Sequence, residues 1–167
     1  MQEGPVSAIM PSAAPITGTT VGEVLAPLHE RWLGALQTAV GPALVPTSTR
    51  WDRWTAVRFL RDELAERLAQ ERKLVRSIPA LGRSVVLRIE AGFEVLERVI
   101  AEVNAAGRRR HTSGLVMVLL QNLLEHLADW YVAIEQAIAD VPLARLSPEA
   151  VRLLGELQPD DGAGPEW

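Results

Sequence analysis

Apolar residues recur along this chain at steps of three and four, in four stretches each long enough for a helix of about twenty residues. Val21, Leu25, Leu28, Trp32, Leu36 and Ala39 form the first stripe and predict a helix over 21–40. Thr20-Val-Gly-Glu23 at its head matches a capping box, in which the two end side chains satisfy orphan backbone N–H groups, and Gly41-Pro42 ends it. Thr49-Arg-Trp-Asp52 is a second such box. Behind it Val57, Leu60, Leu64, Leu68, Val75 and Ile78 predict one continuous helix over 50–78, stopped at Pro79. Val86, Ile89, Phe93, Leu96, Ile100 and Val103 predict a third over 80–106, closed by Gly107. Val116, Leu120, Leu123, Leu127, Tyr131, Ile134 and Ile138 stripe the fourth, over 114–140, and Pro142 ends it. Ser147-Pro148-Glu149 then supplies an N-cap, a proline at the first helical position and an acid in the first turn, so a short fifth helix is expected over 148–157.

No strand alternation or hairpin turn signal interrupts this pattern. The fold class read from it is all-α. Short connections between long helices favour antiparallel neighbours, which makes an up-down-up-down four-helix bundle with a short C-terminal helix the natural topology. Residues 1–19, rich in Pro, Gly, Ser, Thr and Ala, read as a flexible leader, 20–140 as the bundle, 141–157 as the short helix with its approach, and 158–167 as a loose tail.

Composition narrows the classes further. A chain of 167 residues with 48% hydrophobic content suits one domain with a single core. There is no cysteine, which removes disulfides, thiolate metal sites and cysteine nucleophiles. A net charge of −4 argues against nucleic acid as a partner. Of the seventeen basic residues only Lys73 is lysine, an Arg-rich composition of bacterial character. The longest apolar run, Leu115–Leu120, falls far short of the ~20 residues a bilayer demands, so no membrane partner is expected. The N-terminus carries Glu3 where an export signal wants a cation, and a cytoplasmic location is the expectation.

Most enzyme motifs are absent. No Glu stands three residues before a His, and there is no HExxH, HxxxH, GxGxxG or Walker loop. No serine sits on an elbow motif. What remains is one metal-capable residue on or beside the stripe of three helices: His29, Glu71 and His126. Positions 57, 64, 71 and 78 share a heptad slot in which the other three are Val, Leu and Ile, so Glu71 occupies a core position. Arg67 lies one turn before it and can pair with it, which satisfies two expensive groups at once. His29 and His126 stand at stripe edges, where a lone histidine is ordinarily a partly buried residue bonded to a neighbour. Levels along the bundle, at ~1.5 Å per residue, place His29 and Glu71 together, while His126 matches them from one end only. His111 behind Arg108, Arg109 and Arg110 reads as a solvated loop, and Trp51 and Trp54 as an aromatic cover over one end of the bundle.

The layout of Leu28-His29-Glu30-Arg31-Trp32, Arg67-Leu-Ala-Gln-Glu71, Ile89-Glu90-Ala91-Gly92-Phe93-Glu94 and Leu124-Glu125-His126-Leu127-Ala128-Asp129-Trp130 resembles the hemerythrin-like (HHE cation-binding) family over roughly residues 20–140. That resemblance implies a four-helix bundle with a non-haem di-iron centre held by histidines and carboxylates from all four helices. His29 matches the first-helix histidine and His126 the fourth. Arg67-x-x-x-Glu71 stands where the family has His-x-x-x-Glu, the third helix has no histidine, and the last acidic position falls on Trp130 or Tyr131. An arginine stays protonated and repels a cation.

Three functions follow as expectations. The first is a hemerythrin-like bundle that has lost the di-iron centre, holds no cofactor and acts as a binding or regulatory module, with Arg67 and Glu71 as an internal ion pair. The second is a protein that binds non-haem iron or a small ligand through His29, Glu71 and His126, two histidines and a carboxylate being the ligand set of many mononuclear Fe(II) centres. The third is a helical subunit that meets a protein partner or a second copy of itself.

Overall fold

The computed structural model describes residues 18–79, 81–109 and 113–158, which places residues 1–17 of the expected leader, His111, and residues 159–167 of the expected tail outside the described residues. Among the described residues the chain is all-helical, without a strand. The helices are α1 (Val21–Val40), α2 (Arg50–Phe59), α3 (Ala65–Arg76), α4 (Arg83–Gly107), α5 (Ser113–Ile138) and α6 (Pro148–Glu156). None is long and apolar enough to cross a membrane.

Helix starts follow local chemistry. Glu23 N–H donates to Thr20 Oγ1 at 3.3 Å, and the Glu23 carboxylate accepts from the Thr20 N–H at 3.2 Å and from the Thr19 N–H at 2.7 Å. Thr49 and Asp52 form the same reciprocal box at the head of α2. Ser147 Oγ accepts from the Ala150 N–H, and Pro148 fills the first turn of α6. Gly41-Pro42 does not stop the first helix abruptly; the chain continues through a 3₁₀ turn, Gly41–Leu44, that buries Ala43.

The expected single helix over 50–78 is divided. A π-turn, Leu60–Leu64, separates α2 from α3. Ala56, Leu60, Leu64 and Leu68 are all buried at successive steps of four. An α-helix drifts ~40° with each such step, so without a wider turn this row would leave the core. The π-turn holds it there and moves the buried face of α2 to Ala56, Phe59 and Leu60, leaving Val57 only half-buried. The third helix begins at Arg83, later than the periodicity suggests.

α5 packs against α1 and α4, α1 also against α2, and α4 against α2 and α3, so the long helical rods enclose one core, and α6 lies on α3. Tyr131, Phe93, Leu25, Leu36, Leu64, Leu68, Leu96, Leu120 and Leu127 fill its centre. Where α4 crosses α5, Gly92 faces Trp130: a Cβ at that position would lie 1.9 Å from Trp130 Nε1, so only glycine admits the indole. The expectation that Trp51 and Trp54 cover one end is corrected here. They are 69% and 48% exposed, stacked on each other with centroids 4.9 Å apart, and Arg58 lies 5.5 Å from the Trp54 ring.

Candidate functional site: a buried polar centre

Three polar residues break the apolar interior among the described residues: His29 (1% exposed), Arg67 (4%) and Glu71 (2%). Each sits on its helix at core spacing. His29 follows Leu25 and Leu28 on α1, while Arg67 and Glu71 flank Leu68 on α3, one turn past the π-turn. His29 is therefore fully inside the core and not at its edge.

The guanidinium is divided between two partners. Arg67 Nε donates to Glu71 Oε1 at 2.8 Å, and Nη1 donates to the backbone oxygen of Leu157, at the C-terminal end of α6, at 2.7 Å. The Trp32 ring lies 5.3 Å from the guanidinium carbon, supplying the aromatic face such a planar cation favours. Tyr131 Oη donates to the same Glu71 oxygen at 3.4 Å. The Tyr131 ring lies parallel to the His29 imidazole, centroids 3.9 Å apart. His29 Nε2 stands 3.9 Å from Glu71 Oε1, beyond hydrogen-bond reach.

Glu135 completes the cluster. Its carboxylate, only partly covered, lies 2.7 Å from His29 Nδ1. Burial, with Arg67 nearby, lowers His29 from 6.5 to about 3, so the ring is neutral at ordinary pH. A neutral imidazole facing a carboxylate with Nδ1 keeps its proton there, and Nε2 is then a bare acceptor. Burial raises Glu71 from 4.5 to about 7 against the pull of Arg67. It also drives Tyr131 well above its ordinary value and raises Glu135.

The sequence-derived trio does not come together. His29 and Glu71 meet across the core. His126 is exposed on α5, and its Nδ1 bonds within its own helix, 2.8 Å from the Asn122 backbone oxygen. An acceptor carbonyl at that distance makes it Nδ1–H that donates. Among the described residues no three His, Asp or Glu side chains are grouped to hold a metal ion. Two contributors escaped sequence reasoning: Tyr131, read only as a core residue, and Glu135, one turn beyond it on α5. Their i, i+4 spacing was the available signal.

Protein-family models, curated proteins and solved structures were each compared with the chain, and none matches.

Proposed function

We propose that this chain is a metal-free binding or regulatory module on an up-down-up-down, hemerythrin-like four-helix frame, acting in the cytoplasm. One observation carries the reading: the Arg67 guanidinium lies against Glu71 in the middle of the core, 2.8 Å from its carboxylate. The donor set does not suit a di-iron centre. His29 offers Nε2 and Glu71 offers Oε2, but a permanent cation sits on the same carboxylate, and His126 faces away. The buried pair supplies internally the positive charge that a metal would bring to Glu71.

The test is metal content per chain after aerobic purification without chelators, and again after anaerobic Fe(II) addition, with an absorption spectrum. The reading expects only background iron and no oxo-bridge band. Near-stoichiometric iron that disappears in His29→Phe overturns it.

A second reading, a subunit that docks a protein partner, is favoured by one feature: the exposed, stacked Trp51 and Trp54 with Arg58 beside them. Trp and Arg dominate binding hot spots. Light scattering on the parent and on Trp51→Ala/Trp54→Ala decides it. A dimer dissolved by the double variant supports docking of a second copy, and a monomer in both removes self-association.

A further inference from the structure

One end of the bundle gathers positive charge on a chain whose net charge is −4. Residues 45–60 and 105–109 hold five arginines and a single acid, Asp52, whose carboxylate is engaged in the capping box with Thr49. The two segments meet. α2 packs on α4, and a Cβ at Gly107 would lie 2.9 Å from the Val57 side chain, one turn from Trp54. Arg108 and Arg109, both exposed, therefore leave the end of α4 beside α2. Arg50 is exposed at the first position of α2, where the helix dipole disfavours a cation, so it does not serve the helix it begins.

Two large rings stand among these arginines. Trp51 and Trp54 are stacked on each other and open to solvent, with Arg58 over the Trp54 ring. Trp51 and Arg58 stand one turn before and one turn after Trp54 and take up its ring, so little of its face is left for a nucleobase to stack on. At 69% and 48% exposure the two rings offer about 300 Å² together, against the ~800 Å² per partner that a stable protein interface buries. An anionic bilayer surface demands neither an open ring face nor that area. Tryptophan settles at headgroup level, its N–H in the polar layer and its ring toward the acyl chains. Each arginine near the lipid phosphates raises partitioning about fivefold.

We infer that α2 and the adjoining end of α4 dock the protein on an anionic lipid surface. Trp51 and Trp54 enter the headgroup layer, and Arg50, Arg58, Arg108 and Arg109 face the lipid phosphates. No helix among the described residues is long and apolar enough to cross a bilayer, so the contact is peripheral. At the far edge of the patch Asp62 lies 3.6 Å from Arg58 and 2.6 Å from Arg61, in exposed pairs that water screens and a phosphate can replace. The inference goes beyond the docking of a protein partner and does not depend on the buried polar centre.

The experiment uses the full chain and sucrose-loaded vesicles, either pure phosphatidylcholine or an equal mixture with phosphatidylglycerol. The chain should sediment with the mixed vesicles at least tenfold more strongly than with the neutral ones, and high salt should abolish the difference. Brominated lipid in the mixed vesicles should quench the tryptophan emission of the parent chain, a readout that needs no variant. Trp51→Ala/Trp54→Ala and Arg50→Gln/Arg108→Gln change only exposed side chains, so both should unfold in urea with the parent and partition at least tenfold more weakly. No sedimentation with mixed vesicles, or equal sedimentation with both kinds, overturns the inference. So does binding that survives in both variants. A dT oligonucleotide bound through the same residues, with vesicles left unbound, overturns it in favour of nucleic acid. A dimer that Trp51→Ala/Trp54→Ala dissolves, with vesicles left unbound, overturns it and leaves the protein-docking reading standing.

Discussion

Glu71→Gln isolates the largest electrostatic consequence of the buried centre. Burial raises the Glu71 carboxyl from 4.5 to about 7 and lowers His29 from 6.5 to about 3. Between pH 4.5 and 6.5 the unfolded chain carries one proton of this pair, on the histidine. The folded chain also carries one, on Glu71. Equal proton numbers give no slope, so in the parent the two groups mask each other across that range. Removing one exposes the other. The folded carboxyl binds its proton more tightly than the unfolded one, so its contribution to stability is complete below 4.5 and is lost as pH rises through 7. At ~1.4 kcal/mol per pH unit, that interval amounts to about 3 kcal/mol.

Glutamine keeps the shape and cannot ionise. The stability of the parent minus that of Glu71→Gln should therefore fall by about 3 kcal/mol from pH 4.5 to 7.5. His29→Phe shows the opposite sign. A depressed histidine contributes stability that is present above 6.5 and lost as pH falls toward 3, so parent minus variant should rise by about 2 kcal/mol between pH 4.5 and 6.5. Urea unfolding followed by tryptophan fluorescence at four pH values gives both curves. Differences flat to within about 0.5 kcal/mol would refute the reasoning, because a solvated His29 or Glu71 has no such linkage.

Two further outcomes follow from the geometry. Arg67→Met keeps the hydrocarbon stem but removes the hydrogen bond to the Leu157 oxygen, which among the described residues is the one polar tether joining 147–158 to the rest of the chain. Hydrogen exchange should accelerate across α6 first, with a stability loss of about 3–5 kcal/mol, because the variant also leaves Glu71 buried without its cation. Gly92→Ala drives a methyl into Trp130 and should cost about 1–3 kcal/mol or more by urea unfolding, with a changed Trp130 emission; an unchanged midpoint would mean α4 and α5 are farther apart than the structure places them.

Local chemistry was legible in the sequence wherever a few neighbouring residues decide it. Thr20 with Glu23, Thr49 with Asp52, and Ser147 with Pro148 set their helix starts within one turn, and the structure starts α1, α2 and α6 there. The π-turn was not legible as such. Its cause is the demand that Ala56, Leu60, Leu64 and Leu68 face one core, although the steps of four that betray it stand in the sequence. Trp51 and Trp54 were misjudged because size predicts burial only when another element arrives to cover the ring, and among the described residues none does.

The site divides along the same line. Glu71 was conspicuous because its heptad slot is otherwise apolar, and Arg67 because it stands one turn away on the same helix. His29 and His126 look equivalent in sequence, each at the margin of a stripe. What separates them is the rotation of α5 against α1, which lays Tyr131 on His29 and turns His126 outward. That rotation is also what brings Glu135, 106 residues away in sequence, to His29 Nδ1. No spacing within one helix encodes a contact of that kind.

The polar centre is an expensive way to fill a bundle. Arg67 binds Glu71 on its own helix, Leu157 at the end of α6 and the Trp32 ring on α1, while Glu71 also takes Tyr131 from α5. An apolar core needs no such agreement among helices, and replacing a buried ion pair by hydrophobic residues of similar volume is often neutral or stabilising by about 1–4 kcal/mol. If the cluster serves to fix register, the triple variant His29→Phe/Arg67→Met/Glu71→Leu should unfold in urea at least as late as the parent, yet lose the tight hold on α6. A loss of more than about 2 kcal/mol would show instead that the cluster is a net source of stability, since intact networks can exceed the sum of their pairs. Equal stability with slow exchange retained in α6 would transfer the docking of that helix to Leu153, Leu154 and Leu157 alone. The outcome expected here, stability kept and the hold on α6 lost, is the signature of polar residues that cost folding energy and fix the register of the helices they join.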